Sequence, residues 1–361
     1  MDNNIRKQRD YKAFLSFLSS LFAILAGFIF AFIVLFVSNP KEAVNGFLTI
    51  LQGGFTDGLT GFSRLIYFAT PIIMTGLSVA FAFKTGLFNI GASGQFIIGA
   101  YVAVHIGVKW TFLPPSIHWV VALIGAGIAG ALWGAIPGIL KAFANVNEVI
   151  SSIMTNYIGM YLVNMLVVKN VFDQLKNQSL EVEPSAIIPR LGIGDSNINY
   201  SIIIALVFVV IIYILLEKTT IGYELKACGQ NKFASKYAGI NEKKNIILAM
   251  LIAGLLSGIG GGLMYLYGSG KYIQVLDIIA PEGFSGISVA LFGQSNPMGV
   301  FLAGLFIAHI RVGGINLQLN GYAPEIIDMI VASIIYFGAF ALLFKNIISK
   351  LIKNFKKGDK K

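Results

Sequence analysis

Charged residues are scarce in this sequence. Only 12% of its 361 residues are Asp, Glu, Lys or Arg, whereas 56% are hydrophobic. So few charges cannot cover the surface of a soluble domain of this length. The composition therefore excludes an ordinary soluble protein and indicates one that is embedded in a membrane.

Cysteine and histidine are almost absent as well. The single cysteine, Cys228, excludes an intrachain disulfide. The histidines His105, His118 and His309 lack the spacing of metal ligands, and we expect them in core or interfacial positions. The Gly-x-Ser-x-Gly motif of hydrolases is missing too. We therefore expect no catalytic residues, no metal and no cofactor, which argues against a membrane-embedded enzyme.

Nucleotide-binding motifs are present only in fragments. Residues 125–130 match the GxGxxG pattern, but they lie inside an apolar run with no soluble strand before them. Residues 268–271 resemble the end of a P-loop, but Tyr272 stands where that motif needs Ser or Thr. If transport by this chain consumes ATP, another subunit must bind the ATP.

Long apolar runs dominate the chain, and they predict an all-α polytopic membrane protein formed by a single transmembrane domain, 1–361. The first run is too long for a cleaved signal peptide. The eighth is too short to span alone, and such interrupted segments usually face protein or a water-filled cavity. The ten candidate transmembrane or partly spanning segments lie near 13–37, 64–83, 86–107, 118–140, 148–168, 200–216, 245–268, 283–293, 297–314 and 325–344.

Lysine and arginine are distributed unevenly between the two sides of this arrangement. If the N-terminus is inside, the inner side receives 19 of the 27 basic residues. Because cytoplasmic loops are enriched in these residues, both termini are predicted to be cytoplasmic in a cell membrane. The inner side then holds the tail 1–12, the loop 217–244 and the basic tail 345–361. The external loop 169–199 is either a structured excursion or a flexible lid.

Polar residues interrupt the third and fifth segments at membrane depth. Intramembrane polar groups of this kind often line an aqueous path. For Glu148 the alternative is an interfacial role at a helix start, where the helix dipole favours a carboxylate. The candidate path-lining or path-supporting residues are Asn89, Ser93, Gln95, Asn147, Glu148, Ser151, Thr155 and Asn156.

The loop 217–244 carries six lysines and three glutamates between two apolar segments. Its pattern predicts two short helices, Tyr223–Ala227 and Lys232–Tyr237, at the membrane surface. Helices with both charge signs suit the docking of a soluble partner protein. The alternative is that the lysines only extend toward lipid headgroups, which we expect of the basic C-terminal tail.

Small residues form two further patterns. Glycine recurs every fourth position at 130–138 and again at 254–262, which predicts close packing of helices. The run 76–81, GLSVAF, is echoed at 286–291 as GISVAL, and both copies occupy segments that run from outside to inside. The echo is compatible with an internal repeat or with chance similarity.

The loop 222–240 resembles the cytoplasmic coupling segment of ABC importer permeases, in the branch that serves simple sugars, branched-chain amino acids and nucleosides. Residues 76–95 and 147–157 look like the nucleoside permeases of that branch. Lys226 stands where the family usually has Arg, a change that keeps the charge. The resemblance implies a type II ABC importer-like helix bundle, with ATPase-coupling residues Gly222, Glu224, Lys226, Gly229, Asn231, Lys232, Lys236, Tyr237 and Gly239.

The same resemblance implies a transport subunit that forms half of a translocation path for nucleosides. Its implied partners are ATP-binding subunits, a second permease that is a related but distinct chain, an external substrate-binding lipoprotein and membrane lipid, with no nucleic acid. Import of simple sugars or branched-chain amino acids by the same architecture remains an alternative. An ion-driven secondary carrier that uses Glu148 as a relay is the alternative from another class.

Overall fold

The computed structural model describes residues 2–194, 196–340 and 350, and that part of the chain is almost entirely helical. A two-residue antiparallel pair, β1 (Phe172–Asp173) and β2 (Gln178–Ser179), lies between two of the helices. The helices are α1 (Asp2–Ser38), α2 (Ala43–Gln52), α3 (Leu59–Lys84), α4 (Ala92–Lys109), α5 (Pro115–Ala144), α6 (Glu148–Asn170), α7 (Ser201–Lys218), α8 (Thr220–Gln230), α9 (Lys232–Tyr237), α10 (Glu242–Tyr265), α11 (Pro281–Phe292), α12 (Pro297–Asn316) and α13 (Pro324–Ala339).

Each of the ten predicted apolar segments corresponds to a helix, which confirms an all-α polytopic fold. Within the described residues, seven helical stretches are long and apolar enough to cross a membrane. The predicted short segment is α11, which has only 12 residues. Several boundaries differ by a few residues, and after α1 the largest shift of a helix start is at α4, which begins at Ala92 rather than 86. The helix α2 was not predicted because its ten residues are too short for a membrane-span pattern.

The terminal parts of the predicted domain differ from expectation in one respect. The helix α1 begins at Asp2, so the predicted tail 1–12 continues into the first membrane segment without a break. Most of the predicted basic tail 345–361 lies outside the described residues.

The chain divides into two compact units, one made of Met1–Thr56 with His309–Lys361 and the other of Asp57–Ala308. The single domain 1–361 stays a prediction.

The terminal unit is held together by apolar packing and a few hydrogen bonds. A Cβ atom built on Gly27 of α1 would lie 3.0 Å from Ile334 Cα of α13. Near α2, the Tyr322 hydroxyl donates to the Asn39 carbonyl at 3.3 Å. The ring of His309 accepts a hydrogen bond from the Gly54 N–H at 3.2 Å, so this histidine has a structural role.

In the unit Asp57–Ala308, α10 packs against α3, α4 and α5. The predicted glycine stripes meet at the α5–α10 contact. A Cβ atom on Gly130 would lie 2.7 Å from Gly258 Cα, and one on Gly134 would lie 2.6 Å from the Met250 carbonyl oxygen. The two backbones therefore touch directly, as expected where small residues replace side-chain packing in a membrane.

The external loop 169–199 is structured over its described residues. The Ile188 N–H donates to the Leu266 carbonyl at 2.9 Å, and the Glu183 N–H donates to the Gly107 carbonyl at 2.9 Å. Asn199 donates its side-chain amide to the Tyr267 carbonyl at 2.7 Å. These hydrogen bonds fasten the loop to the ends of α4 and α10, so of the two alternatives the structured excursion is the one observed.

The two copies of the echoed sequence lie against each other. A Cβ atom on Gly76 of α3 would lie 2.7 Å from Val289 Cγ1, and one on Gly286 of α11 would lie 2.6 Å from Thr75 Oγ1. The glycine that opens each copy thus gives the neighbouring helix room. An internal duplication stays a prediction.

Replacing Gly258 by valine should destabilise the protein, because the new side chain would collide with the backbone of α5 at Ala126 and Gly130. Overpacking of this kind costs about 3 kcal/mol. Thermal unfolding of the detergent-solubilised protein measures the loss. Gly268→Val is the matched control, since nothing lies within 4 Å of a Cβ atom at that position. Equal melting temperatures for the two variants would contradict the packing argument.

Candidate functional site

A cluster of buried amides lies where α4 begins. The Asn89 side-chain amide donates to Gln95 Oε1 at 2.9 Å, and the Gln95 amide donates back to Asn89 Oδ1 at 3.0 Å. Asn89 also donates to Ser78 Oγ of α3 at 3.1 Å. We call Ser78, Asn89 and Gln95 the amide cluster. All three side chains are buried, so the cluster joins the non-helical residues 85–91 to the helices on either side.

Asn156 of α6 supplies the hydrogen bonds that the start of α4 lacks. Its Oδ1 accepts from the Gly94 N–H at 2.8 Å, and its Nδ2 donates to the Ile90 carbonyl at 3.0 Å. The first N–H groups of a helix have no partner within the helix, and a buried one needs a partner elsewhere. This approach requires glycine at position 94, because a Cβ atom there would lie 2.9 Å from Asn156 Cα.

The start of α6 forms its own local contacts. Asn147 accepts a hydrogen bond from the Val149 N–H at 2.8 Å and so caps the helix. Glu148 forms an ion pair with Lys141 of α5 at 2.9 Å. Ser151 donates back to the carbonyls of Asn147 and Glu148, both at 3.2 Å. Glu148 therefore links α5 to α6 at one end of the bundle.

The predicted path residues thus separate into two groups. Asn147 is exposed and Glu148 is half-buried, at the end of the bundle that also carries α8 and α9. Six others are buried against their own chain: Asn89, Ser93, Gln95, Ser151, Thr155 and Asn156. Their part in a substrate path stays a prediction, and their burial suits support of a path better than lining of one.

Sequence reasoning missed Glu282, the second residue of α11. Its side chain is buried, and its carbonyl accepts a hydrogen bond from Thr75 Oγ1 at 2.9 Å. The next residue, Gly283, touches Ser93 of α4. The available signal was Pro281 followed by an acidic residue, which is typical of a helix start. The predicted segment began at 283 and therefore excluded it.

A second missed feature is the non-helical stretch before α11. Residues 275–280 have no regular secondary structure, although residue 274 still pairs with β2. Asn164 of α6 holds this stretch by donating its amide to the Leu276 carbonyl at 3.0 Å and to Asp277 Oδ1 at 3.2 Å. Asp277 is exposed on the surface of the unit.

Two helices form the predicted coupling segment. The second, α9, has the predicted bounds, whereas α8 extends beyond the predicted Tyr223–Ala227 at both ends. Thr219 caps α8 by accepting from the Gly222 N–H at 3.1 Å. Asn231 caps α9 by accepting from the N–H groups of Phe233 and Ala234 at 3.1 and 3.0 Å. The break between the helices is thus encoded by a strong capping residue.

The other predicted coupling residues fall into inward and outward sets. Gly222 packs on α7, where a Cβ atom would lie 2.7 Å from Leu216 Cα, and Gly239 has φ +82° just after α9. Lys226 pairs with Glu217 at 3.0 Å, and Glu224 accepts from the Asn245 amide at 3.4 Å. The exposed set on α9 is Lys232, Lys236 and Tyr237, with Phe233 beside them.

Gly229 brings the coupling segment into contact with the chain that leads to the amide cluster. A Cβ atom on Gly229 would lie 2.7 Å from the Gly86 nitrogen, and one on Gly86 would lie 2.5 Å from Gly229 Cα. Gly86 has φ +75°, a conformation that favours glycine. Only two residues separate Gly86 from Asn89. The arrangement can pass a displacement of α8 to the start of α4.

A cleft of about 670 Å³ opens beside this contact, and Glu148, Lys232 and Glu242 contribute to its walls. Cys228 also lines the cleft. Burial, followed by the nearby Glu224 and Glu242 carboxylates, raises the pKa of its thiol, while a hydrogen bond with Ser235 acts in the opposite direction. The thiol is therefore predominantly neutral near pH 7.

The incomplete P-loop pattern at 268–271 lies at the opposite end of the unit, next to the external loop. It borders a pocket of about 230 Å³ that is also lined by Arg64 and Arg190. The Lys271 ammonium lies 3.9 Å from the centre of the Tyr67 ring, and burial lowers the pKa of this lysine. The pocket is cationic and small, so it suits one acidic group.

A helical membrane protein with interrupted segments and two short charged helices between its spans has the architecture of a permease. Comparison with known proteins agrees, since the family described as "Branched-chain amino acid transport system / permease component" matches residues 61–339. The chain belongs to this permease family and is a multi-pass membrane protein. No solved structure matches it.

Three relatives show the range of the family. The chain is 38% identical to the guanosine ABC transporter permease protein NupP of Bacillus subtilis, over 92% of this chain and 96% of the relative. It is 34% identical to the nucleoside ABC transporter permease protein NupB of Lactococcus lactis, over 91% and 92%. It is 30% identical to the glucose ABC transporter permease protein TsgB13 of Haloferax volcanii, over 81% and 80%.

Bacillus subtilis also provides evidence of paired permeases. The chain is 28% identical to a second guanosine ABC transporter permease protein of Bacillus subtilis, NupQ, over 68% of this chain and 78% of the relative. Two related but distinct permeases therefore occur in one organism with the same named substrate. The pairing indicates that a second permease subunit works beside chains of this kind.

The amide cluster should contribute to stability as a pair. Asn89→Leu alone or Gln95→Met alone leaves the remaining amide buried without its partner, which costs about 1–3 kcal/mol each. The double variant removes both polar groups, so its loss should be smaller than the sum of the two. Thermal unfolding of the four proteins in detergent gives the coupling free energy. Strictly additive losses would contradict a reciprocal pair.

Proposed function

We propose that this chain is one permease subunit of an ATP-driven importer of nucleosides. The observation that carries the proposal is the 38% identity to the guanosine permease over nearly the full length of both chains. The similarity to a second nucleoside permease, from another bacterium, supports the same substrate class. In this proposal the chain provides half of the translocation path, and the second permease provides the other half.

ATP binding and hydrolysis would be performed by separate subunits that dock on α8 and α9. The exposed surface of α9 supports this docking, because Tyr237 is 95% exposed and Phe233 is 68% exposed next to two lysines. Exposed aromatic residues combined with charges are typical of protein interfaces. The membrane-lipid alternative predicts contacts for the lysines but gives no reason for the capped break at Asn231.

The contact between Gly229 and Gly86 supports a route by which docking could act on the path. Movement of α8 would displace residues 85–91, and the amide cluster would carry the displacement to α4. Asn156 would carry it on to α6. In this view the predicted path residues Asn89, Gln95 and Asn156 support the path from behind rather than touch the substrate.

The proposed orientation puts both termini and the α8–α9 segment in the cytoplasm, as the lysine and arginine bias favours. The cationic pocket beside Arg64, Arg190 and Lys271 would then face outward. It offers a place for an acidic side chain of an external substrate-binding lipoprotein. The ion pair of Glu148 with Lys141 counts against the ion-driven alternative, because a paired carboxylate is poorly suited to act as a relay.

Deletion of the gene should abolish uptake of labelled guanosine and adenosine while leaving leucine uptake unchanged. Uptake should depend on ATP hydrolysis by a partner subunit and should persist when an ionophore removes the ion gradient. Labelled ribose and glucose test the sugar alternative. Glucose is included because one relative is a glucose permease. Loss of sugar uptake alone, or uptake that follows the ion gradient, would overturn the proposal.

Charge reversal on α9, Lys232→Glu with Lys236→Glu, should weaken co-purification of the ATP-binding subunit by at least about tenfold, which corresponds to about 1.4 kcal/mol. Both lysines are exposed, and neither forms an ion pair within the described part of the chain, where the Lys232 ammonium lies 5.2 Å from the centre of the Phe233 ring. Lys176→Glu, in the external loop, is the matched control. Undiminished complex formation by the double variant would exclude docking on α9.

A further inference from the structure

The non-helical stretch 275–280 starts beside the loop 169–199, where the Val275 N–H donates to the Asn177 carbonyl, and continues along α6 at Asn164. The helix α6 has 23 residues, so it is about 34 Å long and matches the thickness of the hydrocarbon layer, which is about 30 Å. Asn164 lies six residues before the end of α6, which corresponds to about 9 Å along its axis. Because Asn164 holds Leu276 and Asp277 by hydrogen bonds, these two residues lie at the same depth.

This stretch is also on the surface of the unit. Ile278 is 70% exposed, and Asp277 is exposed beside it. Lipid cannot satisfy an open backbone, so non-helical segments at this depth either pack against protein or line a water-filled cavity. A carboxylate at membrane depth obeys the same rule. The surface that carries Asp277 must therefore face the second permease subunit or an aqueous path.

Two tyrosines continue this surface along α6. Tyr157, Tyr161 and Asn164 are spaced four and three residues apart, which puts them in one stripe of the helix. The two rings are 48% and 56% exposed, near the middle of the helix. Phenol groups form hydrogen bonds and aromatic rings contact flat partners, so this stripe suits contact with protein or an aqueous path.

The orientation of the stripe is set from the opposite side of α6. Asn156 is bonded to Gly94 and Ile90, and Ser152 and Gly159 are buried against the rest of the unit. Since Tyr157 follows Asn156 directly, these contacts determine the direction in which the tyrosines point. The packing of α6 therefore fixes which face of the helix carries the two tyrosines.

We propose that Tyr157, Tyr161, Asn164 and Asp277 form this chain's half of the nucleoside-binding surface. The proposal rests on the proposed function and names the residues that recognise each part of the substrate. The Asp277 carboxylate accepts hydrogen bonds from the ribose hydroxyls, as carboxylates do in nucleotide-binding proteins. Asn164 orients Asp277, and the tyrosine rings contact the flat face of the base. The second permease closes the surface.

The chemistry of a nucleoside fits this set closely. The substrate is neutral, with two adjacent hydroxyls on the sugar and an aromatic base. The Asp277 carboxylate and the Asn164 amide oxygen give acceptors for a diol, since the Asn164 N–H groups are already donated to Leu276 and Asp277. The two aromatic rings give a stacking surface. A branched-chain amino acid has neither a diol nor an aromatic base, so it would use the carboxylate only through its ammonium group and would leave the tyrosine rings without a flat partner.

The test is uptake competition in cells that express the complete transporter. We expect unlabelled guanosine to compete with labelled guanosine much better than 2′,3′-dideoxyguanosine does. Asp277→Asn should raise the concentration of unlabelled guanosine that halves the uptake of labelled guanosine by roughly tenfold. The corresponding concentration of the dideoxy compound should not change. Tyr161→Leu should weaken competition by both compounds because the aromatic ring is lost. Tyr161→Phe keeps the ring and should behave like the wild type. Glu183→Gln, an exposed acid of the external loop, is the control.

A second measurement does not depend on transport. In a Cys228→Ser background, Met165→Cys, one turn from Tyr161 on the same exposed stripe, should react with a maleimide from the aqueous side, and guanosine should slow the reaction while leucine should not. If the wild-type transporter takes up no nucleoside, the proposed function fails. If it does take up nucleosides, but Asp277→Asn weakens both competitors equally or neither, or guanosine gives no protection, the proposed surface is wrong.

Discussion

A bilayer provides no hydrogen-bond partner for an open backbone, and the region around the start of α4 is organised by that constraint. The chain leaves α3 at Lys84 and enters α4 at Ala92, so the residues between them have no helical hydrogen bonds of their own. Asn156 provides two of the missing partners from its side chain, for the Gly94 N–H and the Ile90 carbonyl. Asn89 and Gln95, buried beside this backbone, satisfy each other, because each amide carries both a donor and an acceptor.

The same constraint explains why glycine is so important in this protein. Helices that cannot gain from expelling water associate through close packing, and α5 and α10 approach until their backbones touch. Glycine also permits the contact between Gly86 and Gly229. The coupling segment therefore reaches the start of α4 directly. The helix α8, the amide cluster and α6 form one continuous set of contacts, which would give the proposed ATP-binding subunit a mechanical connection to the helix bundle.

Much of the fold could be predicted from periodicity and composition. Apolar runs revealed ten of the helices, and the break at Gly229–Asn231 together with Gly239 predicted the bounds of α9. The short helix α2 escaped because ten residues do not form a membrane-span pattern, and the start of α4 was misjudged because residues 86–91 are apolar enough to continue a helix. Asp277 escaped for a different reason. Its significance depends on Asn164, a residue 113 positions away in the chain.

The sequence by itself determined the class of environment, the helical architecture and the permease family, because those properties follow from local pattern and from motifs that are contiguous in the chain. Only the tertiary structure decided which polar residues are buried partners and which are exposed at membrane depth. Asn156 and Tyr157 are neighbours in sequence, yet one is buried in hydrogen bonds and the other is on the surface. A helix turns by about 100° per residue, so the packing of α6 against α4 separates their roles.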